Sequence, residues 1–254
     1  MRIVVKVGTS TLTHATGNLN IRRMDQLCRV LSDIKNAGHE VILVSSGAVG
    51  MGVGKLSLKE KPKEVPLKQA VAAVGQCELM YTYDREFSQY HHNIAQILLS
   101  AYDVENEDRR RNFHNTLFRL LELGALPIIN ENDTLATEEL GIGDNDTLSA
   151  VVAVSAGAEL LVLLSDIDGL YTASPHKDKD AKLLPEVHGV TPEIMALSGG
   201  SDSELGTGGM ATKLKAAQIV NRADIDMIIA NGADPDILYD IVEGKPVGTR
   251  FYAR

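Results

Sequence analysis

Cysteine is scarce in this chain: Cys28 and Cys77 are the only two among 254 residues. Both fall in helical-looking stretches, at a spacing that makes neither a metal motif nor a disulfide framework, so they read as reduced thiols. Basic residues are outnumbered too. Lys and Arg total 25 against 34 Asp and Glu, for a net charge of −9. That balance excludes general nucleic-acid binding, which rests on basic patches that neutralise phosphates. No apolar run approaches the roughly 20 residues of a membrane-crossing helix. No secretory leader is legible, because a strand begins at Arg2. The seven histidines show no zinc spacing, and His91-His92 reads as a polar strand entry. These absences predict a cytoplasmic protein with no nucleic-acid and no membrane partner.

What is present is an alternation of strand and helix patterns. Ile3 to Val5 and Val41 to Val44 read as buried strands, as do Ile94 to Leu99 and Ala125 to Ile129. Leu160 to Leu164 and Asp226 to Ala230 continue the series. Between them, Ile21 to Ala37 shows apolar residues at helical spacing, ended by Gly38. Val65 to Tyr90, Arg111 to Leu123, Thr147 to Ala156, Met210 to Arg222 and Asp236 to Val242 are the other predicted helices. Such alternation predicts an α/β fold, an open and mostly parallel sheet sandwiched by helices. Ligands of such sheets bind beyond the carboxyl ends of the strands. The length suits one large domain or two small lobes. Asp166 to Gly209 is long, irregular and poor in apolar residues, the profile of either a nucleotide-site loop or a disordered insertion.

The segment Gly206 to Lys213 reads GTGGMATK. A glycine-rich turn running into a helix exposes backbone N–H groups and the positive end of the helix dipole, a ready phosphate site. Lys213 adds a full charge about one turn in. Lys6 ends the first strand, just before Gly8-Thr9-Ser10. Two lysines at two distant glycine turns suggest a phosphoryl group held from both sides. Ser45-Ser46-Gly47 follows the second strand, where small residues suit either ligand approach or close packing of a helix on the strand. Gly50 to Lys55 fails as a P-loop: position 49 is Val where that motif needs Gly, and Leu56 stands where it needs Ser or Thr. Asn130-Glu131-Asn132-Asp133 follows the fourth strand, and Gly141 to Asp146 reads GIGDND. If the chain folds back between them, Asp133, Asp144, Asn145 and Asp146 come together. Asp133 would suit an ammonium group. Ser165-Asp166 ends the next strand, where an aspartate can orient a lysine or a hydrated magnesium.

In order along the chain, these motifs closely resemble the amino acid kinase superfamily, and within it the branch that phosphorylates the side-chain carboxylate of glutamate. They cover residues 6 to 213, and Pro246 to Phe251 resembles that family's domain end. The resemblance implies an amino-acid-binding half at about 1–157 and a nucleotide-binding half at about 158–254. It implies glutamate on Ser46, Asp133 and Asn145. ATP would lie on Lys6, Ser165, Asp166 and the loop Thr207, Gly208, Gly209, Met210, Ala211, Thr212 and Lys213. Lys6 and Lys213 would stabilise the transferring phosphoryl group, with Asp146 organising them. Magnesium would be carried on the ATP phosphates, with no dedicated protein metal site. The resemblance also implies proline as a feedback inhibitor, a homo-oligomer, and transient contact with a reductase that consumes the glutamyl phosphate. Many bacterial members carry a C-terminal PUA domain, and this chain is expected to lack one. Ser174-Pro175 also departs from the family's usual Asp-Pro. Two alternatives stay open: a related kinase with acetylglutamate or aspartate as acceptor, and a non-catalytic sensor on the same fold.

Overall fold

The computed structural model describes residues 1–14, 18–135, 144–175, 178–198 and 209–253. The chain begins with β1 (Arg2–Val7), α1 (Thr9–Leu12), α2 (Ile21–Asn36) and β2 (Glu40–Val44). Next come α3 (Ala48–Lys55), α4 (Val65–Ser88), β3 (Ile94–Leu99) and α5 (Ala101–Glu105). They are followed by α6 (Glu107–Glu122), β4 (Leu126–Glu131), α7 (Asn145–Ala156) and β5 (Leu160–Ser165). The last third holds β6 (Glu186–His188), α8 (Pro192–Ala196), α9 (Met210–Asn221), β7 (Asp226–Asn231), α10 (Ile237–Val242) and β8 (Thr249–Tyr252).

One eight-stranded sheet runs β3-β4-β2-β1-β5-β7-β8-β6. All its pairings are parallel except β7 with β8. The two buried faces follow from strand alternation. Ile3, Val5 and Val7 of β1 join Leu160, Val162 and Leu164 of β5 under α2, α4 and α10. Val4, Leu161 and Leu163 point the other way, under α6, α7 and α9. Lys6 shares Val4's parity, so it leaves β1 on the side of α7 and α9. The chain steps outward from β1 to β2, and later returns to place β5 on β1's other side. The mouth at the carboxyl ends of β1 and β5 is thus the switch point where such sheets bind ligands.

Three local features add to the sequence reading. The glycine-rich stretch after Ser46 is a helix, α3, despite glycine's poor helical propensity. Its reason is contact. A Cβ on Gly52 would lie 2.0 Å from the Val71 carbonyl oxygen of α4, and one on Gly75 of α4 would lie 1.7 Å from that of Ala48. Only glycine lets the two backbones touch. The helix expected from Arg111 begins at Glu107, because the Asn106 side chain accepts from Arg109 N at 3.0 Å and caps it. Of the long stretch after Asp166, the described part is folded. It carries β6 and α8, and it buries Leu170 and Val187 in the sheet's second face.

Candidate active site

Four helices begin near the carboxyl ends of β1, β2, β4 and β5. Gly8 precedes α1, and a Cβ there would sit 3.6 Å from Lys6 Nζ. Gly47 precedes α3 with φ +106°, a left-handed conformation that glycine adopts without penalty. A Cβ on Gly50 of α3 would lie 3.4 Å from Thr9 Cγ2, so α1 and α3 start side by side. Gly209 caps α9. Asp144 caps α7, accepting from Thr147 N at 2.7 Å and from Thr147 Oγ1 at 2.9 Å.

That cap fixes the first turn of α7, and with it Asp146. The Asp146 carboxylate is 1 % exposed. Oδ1 lies 2.7 Å from Lys6 Nζ, and Oδ2 lies 3.1 Å from Lys213 Nζ. Thr212 Oγ1 donates to Oδ2 at 2.7 Å. Burial would raise the Asp146 pKa, but Lys6 and Lys213 outweigh it and hold the group down to about 2. The carboxylate is therefore ionised at neutral pH and clamps two cations that would otherwise repel. Each ammonium carries three donors and uses one here, so both keep donors for an anion.

A second set lies at the ends of β2 and β4. Asn145 Nδ2 donates toward the Ser45 carbonyl oxygen (2.9 Å), Ser46 Oγ (2.6 Å) and Asn130 Oδ1 (3.1 Å). Its Oδ1 is buried without a hydrogen-bond partner. Asn130, 2 % exposed, donates to Gln76 Oε1 at 2.9 Å, and Gln76 Nε2 donates to Gln96 Oε1 at 3.1 Å. Ser45 Oγ and the Tyr83 hydroxyl are 2.8 Å apart. Burial pushes the Tyr83 phenol well above its ordinary value, so it stays neutral. Asp133 is half-buried beyond β4. Burial raises its pKa, while the charges of Lys68 and Lys61 pull it back.

Of the residues singled out in the sequence, Lys6, Asp146, Thr212 and Lys213 form one cluster. Ser46 and Asn145 form another, joined to the first through consecutive residues of α7. Thr212 was expected on the nucleotide, and its hydroxyl is on Asp146. Asp166 is exposed and accepts from Ser165 Oγ at 3.1 Å, so of the two candidate lysine-orienting aspartates it is Asp146 that holds the lysines. Met210 and Ala211 form the first turn of α9 behind Gly209. Thr207, Gly208 and the Gly141 to Gly143 part of the acidic turn lie outside the described residues. Among the described residues, no group of three or more His, Cys, Asp or Glu side chains could hold a metal ion. Sequence reasoning gave no role to Gln76, Tyr83 or Asn130. A signal existed: Gln76 falls on the buried face of α4, where the helical period calls for an apolar residue.

The family model described as "Amino acid kinase family" matches residues 1–231. The glutamate 5-kinase of Clostridium perfringens is 52% identical over 257 residues, covering 100% of this chain and 96% of its own length. That of Listeria innocua is 50% identical over 257 residues, covering 100% and 93%. That of Moorella thermoacetica is 52% identical over 253 residues, but the match spans only 67% of that longer protein. Among solved structures, an isopentenyl phosphate kinase from T. acidophilum superposes with a TM-score of 0.70 at 18% identity, over 99% of this chain and 100% of that one. A carbamate kinase from Giardia lamblia gives 0.70 at 16% identity, over 99% and 98%. At those identities the two structures speak for the fold alone. At about half identity over the whole chain, the sequence relatives speak for more: this chain belongs to the amino acid kinase family, in its glutamate 5-kinase branch.

Proposed function

We infer that this chain transfers the γ-phosphoryl group of ATP to the γ-carboxylate of L-glutamate, giving L-glutamyl 5-phosphate, the opening step of proline synthesis. The observation that carries the reading is the Lys6–Asp146–Lys213 clamp at the mouth of β1 and β5, next to the buried acceptor on Asn145. A carboxylate oxygen attacks the γ-phosphorus, and the bond to the β–γ bridging oxygen breaks as ADP leaves. The carboxylate is already a nucleophile, so no general base is needed. Positioning and charge stabilisation do the catalysis. In this proposal Lys6 and Lys213 turn their spare donors to the equatorial phosphoryl oxygens. Asp146 holds the lysines in register.

The same proposal puts the glutamate ammonium between Asp133 and the unpartnered Asn145 Oδ1, with Ser46 at its carboxylate beside the α3 N-terminus. ATP would lie on Ser165, Asp166 and the α9 loop from Thr207 to Lys213. Residues 1–157 would then be the amino-acid half and 158–254 the nucleotide half. A magnesium ion carried on the ATP phosphates would neutralise charge there. Proline, with its α-carboxylate and cationic nitrogen, is proposed to compete for the glutamate groups. A reductase that consumes the labile acyl phosphate is the expected partner in solution. An ATP-dependent hydroxamate assay across glutamate, acetylglutamate and aspartate tests the reading. Turnover with glutamate supports it. Preference for either other acceptor moves the chain to a sibling activity, and nucleotide binding with no turnover would make it a sensor.

A further inference from the structure

Helix α4 buries Val71, Ala72, Leu79, Tyr83 and Phe87 on its inner face, and with them the amide of Gln76. A buried amide costs stability unless its groups are paired. Gln76 is paired at both ends. Its Nε2 donates to Gln96 Oε1 of β3 at 3.1 Å, and its Oε1 accepts from Asn130 Nδ2 of β4 at 2.9 Å. Asn130 Oδ1 in turn accepts from Asn145 Nδ2 at 3.1 Å. Four side-chain amides thus stand in a row, all pointing one way, from exposed Gln96 to the mouth at Asn145. Backbone groups set that direction. The Glu131 N–H can only donate, and it donates to Asn130 Oδ1 at 2.9 Å. The Ser45 carbonyl can only accept, and it takes Asn145 Nδ2 at 2.9 Å. Asn145 is left with Oδ1, buried and without a hydrogen-bond partner. Asn130 is left with Nδ2, and Gln76 Oε1 receives it. The adjacent Gly75 lets α4 touch α3, which holds Gln76 at the depth where it reaches β4.

We propose that Gln76 is a positioning residue for the acceptor substrate. By holding Asn130 it keeps Asn145 Oδ1 turned toward the site, where that oxygen selects an amino acid, by its ammonium group, over a dicarboxylate that lacks one. This role rests on the function inferred above, in which Gln76 itself touches neither glutamate nor ATP. Without Gln76 Oε1, the Asn130 Nδ2 group is buried with no acceptor. Asn130 then turns or draws in water, and Asn145 loses a partner that fixes its amide. The clamp keeps its own contacts, because Lys6, Thr212 and Lys213 hold Asp146 without the row of amides. The loss therefore falls on glutamate binding and spares both ATP binding and the transfer step.

Gln76→Met fills the same space and removes both hydrogen-bonding groups. It should raise the half-saturating glutamate concentration roughly tenfold, with kcat and the half-saturating ATP concentration near wild type. Glutarate, which is glutamate without its amino group, should compete equally well in wild type and variant. Gln76→Glu keeps an acceptor for Asn130 and should recover most of the loss. Wild-type glutamate half-saturation in Gln76→Met would overturn the role. So would an equal loss of glutarate binding, or an equal loss in Gln76→Glu. Should Gln76→Met fail to fold, magnetic resonance of the wild type carrying isotope-labelled glutamine decides. The Gln76 side-chain signal, identified as the one missing from Gln76→Glu, should move on adding glutamate and stay in place on adding glutarate. A signal that ignores glutamate would overturn the role. A wild type that turns over no glutamate would instead overturn the function inferred above, and this role with it.

Discussion

At the scale of the residue, the account turns on Asp146 and its two lysines. The folded pKa of Asp146 is held near 2, below the ordinary carboxylate value of about 3.9. A depressed acid stabilises the fold fully above the unfolded value, and that stability fades as pH falls through the folded value. The Asp146 contribution should therefore be present at neutral pH and vanish only in strong acid. Asp146→Asn leaves the buried Lys213 and the partly buried Lys6 facing an amide, and breaking such a pair costs roughly 3–5 kcal/mol. Urea titration at neutral pH should show the loss, and a midpoint equal to wild type would contradict the clamp. Lys213→Ala should lower kcat about 100- to 1000-fold, roughly 3–4 kcal/mol, while barely moving glutamate half-saturation. Near-normal turnover would remove Lys213 from the mechanism.

Asp133 makes a separate residue-scale prediction. Burial raises its pKa, so it loses its charge earlier than an exposed aspartate on acidification. Glutamate should bind less tightly as pH falls from neutral, and Asp133→Asn should raise its half-saturation and flatten that pH dependence. If ATP affinity fell instead, Asp133 would belong to the nucleotide side. The lysines and Asp146 were legible because each sits in a glycine turn or a strand end. The network behind them was not. Gln76 and Tyr83 lie mid-helix, and only the three-dimensional approach of α4 to β2 and β4 gives them partners.

At the scale of the element, helix and strand types read well from apolar period, and their ends less so. The start of α6 was hidden by the charged run Glu107 to Arg111, which has no apolar stripe and depends on its Asn106 cap. Strand β8 has four residues and no alternation long enough to register. The glycines of α3 carried two readings, ligand approach or close helix–strand packing, and Gly52 instead serves a helix–helix contact. The partner is α4, where Gly75 answers it. Gly75→Ala would drive a methyl into the Ala48 carbonyl, a backbone atom that cannot turn aside. Overpacking of this kind costs about 1–3 kcal/mol. Because Ala48 is the first residue of α3, the displacement should also weaken glutamate binding. Equal thermal stability and glutamate half-saturation in Gly75→Ala and wild type would show that the crossing is looser than described.

At the scale of the molecule, the strand alternation called for an open parallel sheet, and the sheet is parallel in all but the β7–β8 pair. Strand order was not legible, because β4 and β5 are adjacent in sequence yet sit on opposite sides of the β2–β1 pair. That separation creates the mouth where Lys6, Asp146 and Lys213 meet. A net charge of −9 surrounds this cationic spot, so polyanions other than a fitted nucleotide should bind poorly at physiological salt. Titration with RNA should show no appreciable binding. Proline should raise the apparent half-saturation for glutamate without lowering the maximal rate, and inhibition that saturating glutamate leaves untouched would place its site elsewhere.

The central claim is that this chain moves a phosphoryl group onto the glutamate side chain through the two-lysine clamp. The most direct measurement is hydroxylamine trapping of the acyl phosphate, with ATP and magnesium, in wild type and Lys213→Ala side by side. The account predicts glutamyl hydroxamate from the wild type, formed faster than product from acetylglutamate or aspartate, and a trace from the variant. No hydroxamate from the wild type, or equal amounts from both proteins, would contradict it.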